Sequence, residues 1–285
     1  MIPPAPSFDA QASAFDARAG IPETVRAQIA RTVVEAGRAG PEDLLLEIGA
    51  GTGEIGIELC RLGIHYVGVD ISRPMLDEFE KRLGSAGPET RARARLVVRD
   101  ANLAWPVPDG GARAVFGSRS LHLLDSEHVA NQMVRVAACG RAVLLVGRVG
   151  RSPDSVRSRM RAFMRHLVEK RGLEGRSGER GRNELASACV QRGATLLPER
   201  CVASFGVRES PARSLESWAE KPGLAGMALP EPEKSAILGE LREWALQNFG
   251  ALDTELDSRE EYLLGGAAFD TENAGGLEDS TPIGP

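Results

Sequence analysis

The feature that most constrains the fold of this chain is an apolar run that ends in a series of glycines. The segment Leu44 to Gly56 reads LLLEIGAGTGEIG, with glycines at positions 49, 51, 53 and 56. Glycine tolerates positive φ and lets a ligand approach the backbone, and a helix that starts just after such a loop offers free N–H groups to an anion. The pattern therefore predicts a buried strand, a tight ligand-binding loop and a helix.

Short apolar runs and amphipathic segments continue to alternate as far as residue 149. Strands that alternate with helices require crossover connections, so we predict an α/β fold with a doubly wound, mostly parallel sheet covered on both faces. The predicted strands are Leu44 to Ile48, Tyr66 to Val69, Arg95 to Arg99, Ala112 to Phe116 and Ala142 to Val146, and the predicted helices are Glu54 to Leu62, Pro74 to Leu83 and Ser126 to Ala138.

The pattern changes after Gly150. Helices are predicted over Ser155 to Arg171, Asn183 to Arg192 and Glu233 to Phe249, and two late strands over Thr195 to Val207 and Tyr262 to Phe269. The late strands would complete a seven-stranded sheet. We expect four parts: an N-terminal helical lid (1–40), a ligand-binding core (41–150), a helical cap insertion with the sheet-completing part of the same domain (151–269), and a polar, flexible tail (270–285).

Composition excludes several classes of protein. The 285 residues are 42% hydrophobic and 26% charged, which is typical of a soluble globular enzyme. No apolar run approaches the ~20 residues of a membrane span, and the first twenty residues do not read as a signal peptide, so we expect no membrane partner and a cytoplasmic location. Neither the histidines nor the cysteines, Cys60, Cys139, Cys189 and Cys201, have metal-ligand spacing, so no metal is predicted.

The charge is unevenly distributed. Residues 148–182 contain eleven Lys or Arg and four acids, a local charge of +7 in a chain of net charge −5. Nucleic-acid binding usually combines a basic face with stacking aromatics, and aromatic residues make up only 5% of this chain, so we expect no nucleic-acid partner. Such a basic run is typical of a solvated helix face, and an anionic substrate is the alternative.

Two acids decide which ligand suits the loop. The glycines at 51, 53 and 56 satisfy GxGxxG, and Asp70 ends the next strand, where an acid can bind ribose hydroxyls, so a nicotinamide-dependent oxidoreductase must be considered. Glu47, just before the loop, would repel a diphosphate but attract an ammonium group. The sequence therefore favours a ligand that carries an ammonium, a carboxylate and a ribose.

These features resemble the class I S-adenosylmethionine (SAM)-dependent methyltransferases, especially the small-molecule type 11, ubiquinone/menaquinone-methyltransferase-like group. LLLEIGAGTGEIG is similar to their first motif, VGVDISRPML to their second, and VVRDAN, SRSLHLL and FDARAGIP to later and N-terminal elements. The resemblance implies SAM as cofactor and S-adenosylhomocysteine as product. The cofactor-binding residues that it implies are Glu47, Gly49, Ala50, Gly51, Thr52, Gly53, Asp70, Ile71, Asp100, Ala101 and Ser118.

The resemblance also implies an acceptor site after the fourth strand, filled by a small molecule that is methylated on oxygen, nitrogen or carbon. His122 is the candidate general base, because an imidazole accepts protons near neutral pH. Candidate substrate-wall residues are Phe15, Arg18, Arg119 and Trp218. One departure is Arg113, which stands where the family often has an acid. A non-catalytic SAM-binding or scaffold protein is therefore the second alternative.

Overall fold

A seven-stranded sheet organises the computed structural model of the chain, which describes residues 21–137, 140–173, 178–221 and 223–270. Its strands are β1 Leu44–Ile48, β2 His65–Asp70, β3 Ala94–Val98, β4 Ala114–Ser118, β5 Arg141–Arg151, β6 Thr195–Glu209 and β9 Leu256–Asp270, and β7 Gly223–Leu224 and β8 Met227–Ala228 form a separate hairpin. The order across the sheet is β3-β2-β1-β4-β5-β9-β6. The pairs β1–β2, β1–β4, β2–β3 and β4–β5 are parallel, which confirms the predicted fold class.

Helices connect these strands. They are α1 Glu23–Gly37, α2 Gly56–Arg61, α3 Arg73–Ala86, α4 Pro88–Ala92, α5 Ser126–Val136, α6 Val156–Glu169, α7 Gly178–Val190, α8 Pro211–Ala219 and α9 Glu231–Phe249. Side-chain caps fix the start of several of them. Ser72 accepts a hydrogen bond from Met75 N at the start of α3, and Asp125 accepts one from His128 N at the start of α5.

The described residues form two compact units, each with its own core. The first takes in the described residues within 21–148, 182–203 and 262–270, and the second those within 149–181 and 204–261. The core of the first unit is made by strand and helix residues such as Leu46, Val67, Val115, Met133 and Leu144. The core of the second contains Met160, Met164, Trp218, Ile237 and Leu241.

The structure contains some regular secondary structure that the sequence patterns did not predict. The last strand begins at Leu256, six residues before the predicted start at Tyr262. The prediction missed these six residues, LDSREE, because they contain no apolar run. The short helices α4 and α8 were not predicted. Each starts on a proline in its first turn, which suits a helix N-terminus but is also typical of a loop.

Some predictions lie outside the described residues. These are residues 1–20 of the expected lid with Phe15 and Arg18, the tail from residue 271 onward, and Cys139. The described part of the expected lid contains α1, which buries Val25, Ile29 and Val33. The proposed division into lid, core, cap and tail stays a prediction. No helix among the described residues is long and apolar enough to cross a membrane, and no metal-binding cluster of His, Cys, Asp or Glu occurs among them.

Candidate active site

The glycine loop after β1 is tied to its neighbours by backbone hydrogen bonds. Gly49 N and Ala50 N both donate to Val69 O, over 2.8 and 3.0 Å, and Ser120 Oγ donates to Ile48 O over 2.5 Å. Gly49 has φ 73°, and a Cβ there would lie 2.3 Å from Ser120 Cβ. Only glycine fits this close approach, which brings the segment after β4 against the loop.

The loop is packed on one side and open on the other. Gly53 has φ 79°, and a Cβ there would lie 2.1 Å from the Phe79 ring, whereas a Cβ on Gly51 would meet nothing within 4 Å. Thr52 between them is buried. A ligand can therefore approach the backbone at Gly51 while the rest of the loop is supported from below.

Asp70, the last residue of β2, holds the loop in this shape. Its Oδ2 accepts a hydrogen bond of 2.8 Å from Gly51 N, and its Oδ1 accepts one of 2.9 Å from Ser72 N. A carboxylate can accept about four hydrogen bonds, so these two do not exclude a third from a ribose hydroxyl. The predicted loop and the predicted ribose acid are thus brought together.

Glu47 lies in the middle of the sheet and is only 3% exposed. Tyr66 Oη donates a hydrogen bond of 2.5 Å to Glu47 Oε2. Burial raises the pKa of the Glu47 carboxyl to about 8, against the lowering effect of the Tyr66 hydrogen bond. Near neutral pH the group is therefore mostly protonated, whereas the sequence suggested a charged carboxylate. Its contact with a ligand ammonium group stays a prediction.

Glu54, at the end of the loop, is a second buried acid, and sequence reasoning assigned it no role. Its Oε1 accepts a hydrogen bond of 2.5 Å from Ile21 N and lies 3.6 Å from Arg26 Nη2, while its Oε2 pairs with Arg119. Its position directly after GxGxG was the feature of the sequence that could have pointed to a role near the loop. Arg119, predicted as a substrate wall, has φ 59° and binds Glu54, so its described contact holds the loop region together.

The end of β3 presents the residues predicted to face adenine. Asp100 Oδ1 accepts a hydrogen bond of 2.8 Å from Asn102 N, so the carboxylate shapes the turn after β3. Ala101 O accepts a hydrogen bond of 3.0 Å from Trp105 Nε1. The side chains of Ile71 and Leu103 are 43% and 57% exposed, which leaves apolar surface near this edge. Leu103 is a further ligand-contact candidate that the sequence reasoning missed.

The end of β4 carries the candidate acceptor segment. Ser118 Oγ accepts a hydrogen bond of 2.8 Å from the buried Tyr262 Oη, and a Cβ on Gly147 would lie 1.9 Å from that oxygen. His122 follows in a short 3₁₀ turn, Leu121–Leu123, with an exposed side chain. Partial desolvation lowers the pKa of its imidazole below the usual 6.5. Tyr262 belongs to a distant part of the sequence, so local motifs could not reveal it.

Two other predicted features have structural explanations. Trp218 is 4% exposed in the core of the second unit, and Arg157 stacks over its ring at 5.1 Å from the centroid. Core packing accounts for the buried indole, and the substrate-wall role of Trp218 stays a prediction. Arg113 donates hydrogen bonds of 3.2 Å to Arg38 O and to Arg141 O, so it joins the end of α1 to the start of β5.

The parallel strands place the predicted cofactor residues at one edge. Ile48, Asp70, Val98 and Ser118 end β1 to β4, and ligands of open α/β sheets bind beyond such carboxyl ends. Residues 45–140, which include all four of these strand ends, match the family model described as a methyltransferase domain. This part of the chain is therefore a methyltransferase domain. A search of curated proteins gave no match.

Solved structures agree with this methyltransferase in fold. The [4+2]-cyclase SpnF is 16% identical with a TM-score of 0.54, over 93% of this chain and 97% of its own. A Bacillus halodurans protein proposed to be a methyltransferase is 14% identical with a TM-score of 0.51, over 84% of this chain and 97% of its own. The Bacillus subtilis protein YcgJ is 14% identical with a TM-score of 0.50, over 86% and 98%. Identities this low show the fold alone.

The residues at this edge fit SAM. The loop is open at Gly51, where backbone donors suit a carboxylate. The Asp70 carboxylate has acceptor capacity of the kind that ribose hydroxyls need, and Ile71 and Leu103 expose apolar surface of the kind that suits a base. The ends of β1 to β3 are therefore the predicted cofactor edge, and the segment after β4 adjoins them.

Proposed function

We propose that this methyltransferase transfers a methyl group to a small-molecule acceptor held beyond the carboxyl end of β4. The observation that carries the proposal is the hydrogen bond of 2.5 Å from Ser120 Oγ to Ile48 O. It holds the segment containing His122 against the strand that leads into the glycine loop. An acceptor bound on this segment would lie next to the cofactor edge.

SAM, when bound, supplies an electrophilic methyl group on a sulfonium. In the proposal, Gly51 and its neighbours bind the methionine carboxylate, Asp70 binds the ribose, and Asp100 and Ala101 border the base. Transfer from a sulfonium to a neutral nucleophile disperses charge, so in-line positioning in a site shielded from water supplies most of the acceleration. The protein's main task is then to orient the two reactants.

His122 would act only for some acceptors. A hydroxyl or a carbon acid of high pKa has to lose a proton during transfer, and a neutral imidazole can take it. The lowered pKa of His122 keeps the ring neutral, and therefore able to accept a proton, at pH 7. An acceptor that is already ionised needs no such base.

The experiment is to incubate the purified chain with methyl-labelled SAM and a cell extract, and then to fractionate the label by molecular size. We expect label in a small-molecule product, and at least tenfold less with Asp70→Ala. Asp77→Ala, a change on the exposed face of α3, is the matched control. Label that appears only in protein or RNA would refute the small-molecule acceptor, and the absence of any transferred label would favour the non-catalytic alternative.

A further inference from the structure

The basic run noted in the sequence becomes a cluster of cations within the second unit. Arg157, Arg161 and Arg165 follow one another at four-residue spacing along α6, so they share one face of that helix. Arg151 ends β5, and Lys221 follows α8. Like charges at this spacing destabilise a helix. This arrangement costs stability unless an anion offsets it.

The sequence suggested that this basic face of the helix is solvated, but the structure shows that part of it is not. Arg157 is partly buried, and burial, together with the charges of Arg151 and Arg161, lowers its pKa to about 10. Lys221 is exposed, but partial desolvation, followed by the charges of Arg157, Arg161 and Arg151, also lowers its pKa. Cations that are desolvated next to one another bind an added anion more strongly than cations in water.

Among the described residues, Glu209 and Glu260 are the acids whose charges act on Arg157, and both have described partners. Arg151 Nε lies 2.6 Å from Glu260 Oε1, and Glu209 Oε2 accepts a hydrogen bond of 3.4 Å from Arg157 N. Two carboxylates cannot balance Arg151, Arg157, Arg161 and Lys221. The cluster therefore keeps a net positive charge.

Arg157 is held in place for binding. Its Nη2 donates a hydrogen bond of 3.0 Å to Ser217 Oγ, and its guanidinium stacks on the Trp218 ring. Lys221 N donates a hydrogen bond of 3.2 Å to Trp218 O, so Lys221 lies next to the same C-terminal end of α8 that carries Trp218. A guanidinium fixed in this way loses little further freedom when it binds an oxyanion, and its planar fork matches phosphate.

We propose that Arg151, Arg157, Arg161 and Lys221 form a binding site for the phosphate or diphosphate group of a small molecule. Several guanidinium groups in one partly desolvated cluster suit a compact anion with several oxygens better than a single carboxylate. The site goes beyond the proposed methyl transfer and does not depend on it.

The test is calorimetric titration of the full chain with inorganic pyrophosphate, without SAM and at about 0.15 M salt, so that long-range attraction is screened. We expect saturable one-to-one binding that is at least tenfold weaker in Arg157→Gln and in Arg161→Gln. Arg242→Gln, on the exposed part of α9, is the control and should bind like the parent. Citrate, a polyanion without phosphate, should bind at least tenfold more weakly than pyrophosphate.

Thermal unfolding provides the second measurement, because Arg157→Gln also removes the Ser217 and Trp218 contacts. Arg161 is exposed, so Arg161→Gln should melt no lower than the parent without pyrophosphate and should lose the rise in melting temperature that pyrophosphate produces. Absence of saturable binding, equal affinity in Arg161→Gln, or equal affinity for citrate would each overturn the proposal. None of these results would bear on methyl transfer.

Discussion

Tyr66 Oη donates a hydrogen bond of 2.5 Å to Glu47 Oε2 beneath the glycine loop, and both side chains are buried. Burial raises the pKa of both groups, so the pair holds its protons in the folded chain. A buried carboxyl that is protonated when folded and ionised when unfolded makes stability depend on pH.

The first prediction concerns this dependence. The pKa of Glu47 is about 8 when folded and near 4.5 when unfolded, so the folded state binds the extra proton between these values. The contribution of Glu47 to stability is therefore complete below about pH 4.5 and is lost as the pH rises to about 8. The slope is at most about 1.4 kcal/mol per pH unit.

Urea unfolding at several pH values within this window would measure the effect. The free energy of unfolding of the parent should fall with rising pH relative to that of Glu47→Gln, whose side chain does not titrate. If the two curves run parallel between pH 5 and 8, Glu47 is not protonated in the folded chain.

The second prediction links Glu47 to the cofactor. If a ligand ammonium group comes close to Glu47, it stabilises the ionised carboxylate and lowers its pKa. Binding of S-adenosylhomocysteine near pH 7 should then release up to one proton. Calorimetry in two buffers of different ionisation enthalpy would detect the release as a difference in apparent binding enthalpy.

Glu47→Gln is the control for this linkage, since it keeps the shape of the side chain and removes the proton. It should bind with the same enthalpy in both buffers. A binding enthalpy of the parent that is independent of buffer would place the ammonium group away from Glu47.

Much of the backbone geometry at the predicted cofactor edge could be predicted because its signals are local. The glycines at 49 and 53 have positive φ and close neighbours, and Asp70 ends its strand, so each requirement is visible in a few adjacent residues. Tyr262 could not be assigned in this way, because its partner Ser118 lies 144 residues away in sequence. The protonation of Glu47 was also hidden, because it depends on burial by residues from several elements.

The third prediction tests Asp70. Asp70→Ala should weaken binding of S-adenosylhomocysteine more than tenfold, because a charged acceptor worth about 1.5 to 3 kcal/mol is removed and Gly51 N loses its partner. Calorimetry would give the dissociation constant, and circular dichroism would verify the fold. Asp77→Ala should leave the constant unchanged, whereas an unchanged constant for Asp70→Ala would remove Asp70 from the site.

The fourth prediction separates core packing from acceptor contact at Trp218. Truncating a buried tryptophan costs about 3 to 5 kcal/mol, so Trp218→Ala should lower the stability of the chain by an amount in this range. Denaturant unfolding would measure the loss, with the exposed Glu216→Ala as control. Normal stability combined with weaker acceptor use would instead support the substrate-wall role that the sequence suggested.

The last prediction asks whether His122 takes a proton during transfer. His122 comes shortly after two serines at the end of β4. Ser118 accepts a hydrogen bond from Tyr262, and Ser120 donates one to Ile48 O in the strand before the glycine loop. If His122 is a general base, His122→Gln should leave the affinity for S-adenosylhomocysteine nearly unchanged and lower kcat by about 10² to 10⁴. The pKa of His122 is lowered, so the acidic limb of the pH–rate profile should lie below pH 6.5 and should be absent in the variant.

The matched control is His65→Gln, because His65 is exposed at the amino end of β2, the opposite edge of the sheet from the cofactor. It should keep both kcat and the acidic limb. If His122→Gln also keeps kcat within a few-fold and retains the limb, the imidazole takes no proton. The acceptor would then be a group that is nucleophilic without a base, and orientation of the reactants would account for the catalysis.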